Sequence, residues 1–168
     1  PGHHLVRVDY YEYGGFAVAG VDWELVNDDG EGWQAEYYNN PWLSGEPAVR
    51  RTDAYINFDW SQGSPGYGIL AESFSARWRN TFGLAGGAYR ITVTSDDGIR
   101  VFIDGDLILS EWSDHPAQTY TADVTLAAGS HDFTVEYYEN TGYAVARFSL
   151  QEAPAGGEAA WRGEYYSN

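Results

Sequence analysis

The sequence contains no cysteine, no methionine and no lysine, and its nine basic residues are all arginine. Without cysteine there can be no disulfide framework, no thiol nucleophile and no thiolate zinc site. Only nine cations stand against 25 acids, a net charge of −16. Phosphate affinity needs a basic surface, so nucleic acid is excluded as a sequence-independent partner, and anionic membrane surfaces are disfavoured for the same reason. No run approaches the roughly 18 apolar residues of a membrane helix, so no membrane insertion is expected in this segment. No Asn-x-Ser/Thr site occurs. What the chain does have is 43% hydrophobic and 17% aromatic residues over 168 positions. That is enough to bury a core, and too much for a disordered chain.

The chain repeats itself. Gly2, His4, Val8, Tyr10-Tyr11-Glu12, Gly15 and Ala17-Val18-Ala19 recur as Gly129, His131, Val135, Tyr137-Tyr138-Glu139, Gly142 and Ala144-Val145-Ala146, at an offset of 127 with 10 of 18 positions identical. Trp33, Glu36-Tyr37-Tyr38 and Asn40 recur as Trp161, Glu164-Tyr165-Tyr166 and Asn168, at an offset of 128. Two echoes at nearly one offset predict a tandem array. Its parts are the tail of one unit (1–25), a linker (26–32), a complete unit (33–150), a second linker (151–160) and the first strand of the next unit (161–168). The start Pro1-Gly2-His3-His4 and the stop inside Glu164-Tyr165-Tyr166 read as an excerpt of a longer polymer.

Strand patterns dominate. Tyr89, Ile91, Val93 and Ser95 alternate with Arg90, Thr92 and Thr94, and Phe133, Val135 and Tyr137 alternate with Asp132, Thr134 and Glu136; this is the two-residue period of a half-buried strand. Breaks at Gly86-Gly87, Asp97-Gly98, Asp104-Gly105 and Ala128-Gly129 are spaced like hairpin turns. No apolar stripe of helical period is sustained. The expected fold is all-β, an antiparallel two-sheet sandwich. Trp60, Trp78, Tyr89, Phe133 and Tyr137 fall at core-type positions, whereas the tyrosine pairs 37/38 and 137/138 cannot both face inward, so one of each meets solvent or a neighbour. Trp42, Tyr67 and Trp112 fall near loops, where they could stack on sugar or a partner.

Candidate chemistry is sparse. Adjacent carboxylates on an ordinary strand point to opposite faces, so Asp96-Asp97 is readable as a type I′ hairpin turn with Gly98 or as a cation site. Four histidines give no triad order, and His131, matched by His4, reads as a repeated structural residue rather than a general base. No phosphate loop or His/Glu metal motif is present. The chain is not expected to be an enzyme.

Several linked motifs carry a resemblance over about 118 residues. They are Trp33-x-x-Glu36-Tyr37-Tyr38-Asn39, Phe58-Asp59-Trp60 with Gly63-Ser64-Pro65, Phe74-Ser75-x-Arg77-Trp78, and Gly87-x-Tyr89-x-Ile91-x-Val93. The most specific is Ser95-Asp96-Asp97-Gly98-x-Arg100-Val101-x-Ile103-Asp104-Gly105, followed by Leu126-Ala127-Ala128-Gly129, Glu136-Tyr137-Tyr138 and Ala144. In these the chain resembles the lectin-like β-sandwich domain first defined in the anthrax toxin protective antigen, which also occurs in yeast adhesins and glycosidase accessory modules. The resemblance implies paired aspartates joined by a cis peptide that hold Ca²⁺, which in turn coordinates sugar hydroxyls. Carried over by position, it implies Asp96 and Asp97 as calcium ligands, with a further ligand from Glu139-Asn140. Sugar would then meet Asp96, Asp97, Trp112 and Tyr67. The long cysteine-bearing specificity loops of the adhesins are missing here.

The expected function is a non-enzymatic repeat unit of an extracellular fibre or cell-surface adhesin, with calcium-dependent carbohydrate binding. The alternative is an accessory module of a secreted glycoside hydrolase. Expected partners are neighbouring copies and glycans, with inter-repeat contacts through Val6, Val8, Tyr10, Val18, Trp161 and Tyr165.

Overall fold

A computed structural model describes residues 32–153. The inter-repeat residues Val6, Val8, Tyr10, Val18, Trp161 and Tyr165 lie outside this range, as do the segments 1–25 and 161–168. Ten strands follow in order: β1 (Trp33–Tyr38), β2 (Val49–Asp53), β3 (Asn57–Ser61), β4 (Phe74–Leu84), β5 (Gly87–Asp96), β6 (Gly98–Ile103), β7 (Asp106–Glu111), β8 (Gln118–Leu126), β9 (Gly129–Glu139) and β10 (Ala144–Glu152). They form a six-stranded sheet, β2-β1-β4-β9-β6-β7, and a four-stranded sheet, β3-β10-β5-β8. Every pairing is antiparallel. The fold is an all-β two-sheet sandwich.

Alternation sorts the side chains. Ala35 and Tyr37, Phe74, Ala76 and Trp78, Ile99 and Val101, and Phe133, Val135 and Tyr137 line the inner face of the larger sheet, opposite Tyr89, Ile91 and Val93. Aromatics knit the middle: Trp78 meets Tyr37 edge-on at 5.8 Å and stacks with Phe58 at 5.9 Å. Trp60, expected inside, is only partly buried against this cluster. Both tyrosine pairs are covered on both faces: Tyr37 and Tyr137 point into the core, while Tyr38 and Tyr138 are buried by neighbours on the outer face.

The outer face of the larger sheet carries one row of alternating charge. Arg50 registers with Glu36, Glu36 with Arg77, Arg77 with Glu136 and Glu136 with Arg100. Buried Glu136 takes Arg77 and Arg100, each at 2.6 Å. Opposite charges directly across strands stabilise a sheet.

Two sequence expectations are corrected. Of the four Gly-bearing breaks, only Asp104-Gly105 closes a hairpin, with positive φ at both residues (53° and 87°). The other three carry the chain from one sheet to the other, since β4, β6 and β9 belong to the larger sheet and β5 and β8 to the smaller. Turn residues signal a reversal, but not whether the next strand pairs with the last. Gln151 and Glu152, expected in the second linker, still belong to β10 and pair with Arg90 and Tyr89.

Asp53, at the inner end of β2, is a buried polar tie. Its carboxylate accepts from Tyr37 Oη (2.6 Å), Trp78 Nε1 (2.8 Å) and Arg51 Nε (2.7 Å), and Arg51 reaches on to the Pro65 carbonyl at 3.0 Å. Asp53→Ala leaves three donors without their acceptor. It is expected to cost about 3 kcal/mol of stability, read from urea unfolding midpoints.

At the far end, His131 Nδ1 lies 2.6 Å from Asp104 Oδ2 and Nε2 lies 3.0 Å from the Ala127 carbonyl. Both partners accept, so both ring nitrogens must carry protons for both bonds to form. Asp104 and the Ala127 carbonyl raise the histidine above its ordinary pKa, and His131, with the Asp132 N–H, holds Asp104 below the usual carboxylate range. A raised histidine contributes stability that is complete below its unfolded pKa of about 6.5 and lost as pH rises through the folded value. The Asp104 contribution is lost only as pH falls through its lowered value. The melting-temperature advantage of the native chain over His131→Gln is therefore expected to be larger at about pH 6 than at about pH 9.

Candidate functional site

The register places the connections 39–48, 62–73, Asp97, 112–117 and 140–143 at one end of the sandwich. Asp97 is the single residue between β5 and β6, and the Asp96–Asp97 peptide is cis. The two aspartates do not form a hairpin turn; they sit where the chain crosses between sheets. Glu139 is the last residue of β9 and continues its inward series Phe133, Val135, Tyr137. Carboxylate oxygens of Asp96, Asp97 and Glu139 all lie within 4.8 Å of one another.

The loops fasten these groups. Asp97 accepts the His115 N–H on Oδ1 and the Asn140 N–H on Oδ2, each at 3.0 Å. Asp96 Oδ2 accepts the Ala117 N–H at 3.1 Å, and Tyr137 Oη donates to the Asp96 carbonyl. Glu139 Oε2 lies 3.2 Å from Tyr137 Oη, whose single proton is directed at the Asp96 carbonyl, and Oε1 is buried without a hydrogen-bond partner. Among the described residues no arginine or histidine pairs with any of the three carboxylates. Burial, reinforced by the Asp97 charge, pushes Glu139 up to about 8. Burial and Asp97 also raise Asp96. Three desolvated carboxylates with one orphaned oxygen make a donor set that suits a hard cation with oxygen ligands, such as Ca²⁺.

The expected site residues divide. Asp96, Asp97 and Glu139 converge. Asn140 borders them through its backbone N–H; its carbonyl accepts from Ser73 and its side-chain amide donates to Asp114 at 2.8 Å. Trp112 stands at the same end but packs edge-on against Tyr138 at 4.8 Å, with Arg100 4.1 Å over its ring, so one indole face is already covered. Tyr67 is fully exposed on the 62–73 loop.

Asp114 is the participant that sequence reading missed. It accepts from Tyr138 Oη and from Asn140 Nδ2, each at 2.8 Å, and these bonds hold it below the usual carboxylate range. Its partners lie 24 and 26 residues away, so no local pattern marks it. Tyr138 in turn lies flat against Gly98, where a Cβ would collide with the ring.

Residues 29–160 match the PA14 domain. The chain belongs to the PA14 domain family. The anti-sigma-I factor RsgI3 of Acetivibrio thermocellus is 35% identical over 126 residues, covering 72% of this chain and 19% of that protein. An anti-sigma factor domain-containing protein from Clostridium clariflavum superposes with a TM-score of 0.67 at 30% identity, covering 73% of this chain and 42% of that one. The PA14 sugar-binding domain from an RTX adhesin shares the fold, with a TM-score of 0.65 at 19% identity over 73% of this chain and 90% of its own. The chain thus spans about a fifth of the curated relative it matches. The relative matched by sequence bears the name of an anti-sigma factor.

Because this PA14 domain has a glycine at 98 to admit Tyr138, Gly98→Ala is expected to lower stability by about 1–3 kcal/mol. Removing the ring in Gly98→Ala/Tyr138→Ala relieves the collision. The two changes should therefore be non-additive in urea unfolding.

Proposed function

We propose that this PA14 domain is a non-catalytic, extracellular recognition module that binds glycans through a calcium ion. Asp96, Asp97 and Glu139 would hold the ion. The observation that carries this reading is the buried, unpartnered Glu139 Oε1 beside two further carboxylates. A group desolvated in this way ionises only beside a counter-charge, and a divalent cation would supply one for all three carboxylates. Calcium takes about six to eight oxygens. Three carboxylates leave part of that shell for the hydroxyl oxygens of a sugar. The exposed rings at this end, Trp42, Tyr67 and Tyr143, offer apolar faces for the sugar ring.

Calcium titration of chelator-stripped protein should show one saturable site that Asp97→Ala and Glu139→Gln remove, with a melting temperature that rises with calcium in the native chain alone. A glycan array should then show binding that EDTA abolishes. Absence of calcium binding at millimolar concentration would sink the reading.

Two settings suit such a module. As a repeated bead it would serve a surface adhesin or fibre, the setting that the 127-residue echo favours. As a single sensory head it would serve an anti-sigma factor, the setting favoured by 35% identity to RsgI3. The complete gene separates them: further units at the same spacing mark the first, and an anti-sigma segment marks the second.

A further inference from the structure

A two-sheet sandwich has four edges, and three of these are guarded. β2 is five residues long and presents Arg50 and Arg51. β3 is equally short, and its pairing with β10 is broken by a register shift. β7 has a register shift against β6 and is bounded by Asp106 and Glu111. Short length, irregularity and charge are the usual defences of an exposed edge.

β8 has neither the short length nor the irregularity. It runs nine residues, Gln118–Leu126, and pairs with β5 at every position without a shift. It contains no proline, glycine or arginine, and its single charge, Asp123, is held by Arg90 at 2.7 and 2.8 Å. Among the described residues it has no strand on its other side. Its core-facing residues Tyr120, Ala122 and Val124 remain half-buried, as they would beneath a sheet that stops one strand short.

We propose that β8 is the seam of a symmetric dimer. Two copies of this chain join edge to edge, and their four-stranded sheets become one of eight strands. The strand is self-complementary about Ala122. Laid antiparallel on itself over its whole length, it sets Thr119 opposite the partner's Thr125 and Tyr120 opposite the partner's Val124. Thr121 then meets the partner's Asp123, and Ala122 meets the partner's Ala122. Hydroxyl pairs and aromatic–β-branched pairs are favourable across strands. Each residue keeps its face, since both members of every pair have the same parity. Moving the two-fold one residue on, to position 123, would oppose two aspartates. The centred register avoids this and alone overlaps all nine residues.

Sedimentation velocity of the 168-residue chain over a concentration series tests the seam. A monomer–dimer equilibrium is expected, tightening as salt rises because screening relieves repulsion between two chains of charge −16. Thr121 is exposed, so substitution there leaves the core intact. Thr121→Asp faces the partner's Asp123 and should weaken the dimer by about tenfold; Thr121→Lys should tighten it. Thermal melts at low concentration confirm that both fold.

Because the chain has no cysteine, Ala122→Cys provides a clean trap. Residues opposed in an antiparallel pair have Cα atoms about 4.5–5.5 Å apart, within disulfide reach. Copper–phenanthroline oxidation should give a covalent dimer, whereas Ser149→Cys, exposed on β10 away from the edge, should not. A chain that stays monomeric at every concentration and salt overturns the proposal. So does a Thr121→Asp variant that dimerises as well as the native chain, or equal cross-linking through position 149.

Discussion

A strand shows alternate residues to opposite faces, and β9 follows that rule to its last residue. Phe133, Val135 and Tyr137 fill the core, so the next residue in the series, Glu139, is carried inside with them. The carboxylate is buried because the ladder to β4 is unbroken from Gly129–Leu84 to Glu139–Phe74. Once that carboxylate is fixed, much of the adjacent end of the sandwich is arranged around it. Asp96 and Asp97 approach from the crossover, and the loops 112–117 and 140–143 donate backbone N–H groups to them.

Charge is distributed with corresponding economy. Arg50, Arg77, Arg79 and Arg100 crowd onto the outer face of the larger sheet, where Glu36 and Glu136 receive them. Arg90 and Arg147 pair with Asp123 and Asp59 on the smaller sheet. Arg51 is committed to Asp53. All seven arginines of the described residues are thereby engaged, and none stands beside the carboxylate cluster. A single acidic chain thus holds well-compensated sheets and one end whose carboxylates have no cationic side chain paired with them among the described residues.

Legibility differed from feature to feature for physical reasons. Period-two runs such as Tyr89–Ser95 marked strands and their inward faces directly, because the pattern and the geometry share one period. Asp96, Asp97 and Glu139-Asn140 were marked only through the family resemblance, the aspartates by their motif and Glu139-Asn140 by its place in the matched pattern. Asp114 was not legible, since its two partners come from β9 and the loop beyond, brought close only by the pairing of β9 with β6. Trp112 read as a free loop aromatic but is packed against Tyr138 and Arg100. Loop assignment alone does not tell whether a ring has neighbours across the sheet. The glycines marked chain reversals correctly but concealed that three of the four cross between sheets.

By itself, the sequence determined the class of structure and the exclusions. Alternation demands strands, the lack of cysteine demands a fold held by packing and hydrogen bonds, and nine cations against 25 acids make nucleic acid an unexpected partner. Those conclusions depend on composition and on near neighbours in the chain. Only the tertiary structure decided that a cis junction, a strand end and two loops meet within a few ångströms, and that one glutamate oxygen there lacks a partner. It likewise decided that β8, rather than β2, β3 or β7, is left as a long regular edge. Such facts belong to strand order and register, which arise from contacts between residues far apart in sequence, where no local pattern reaches.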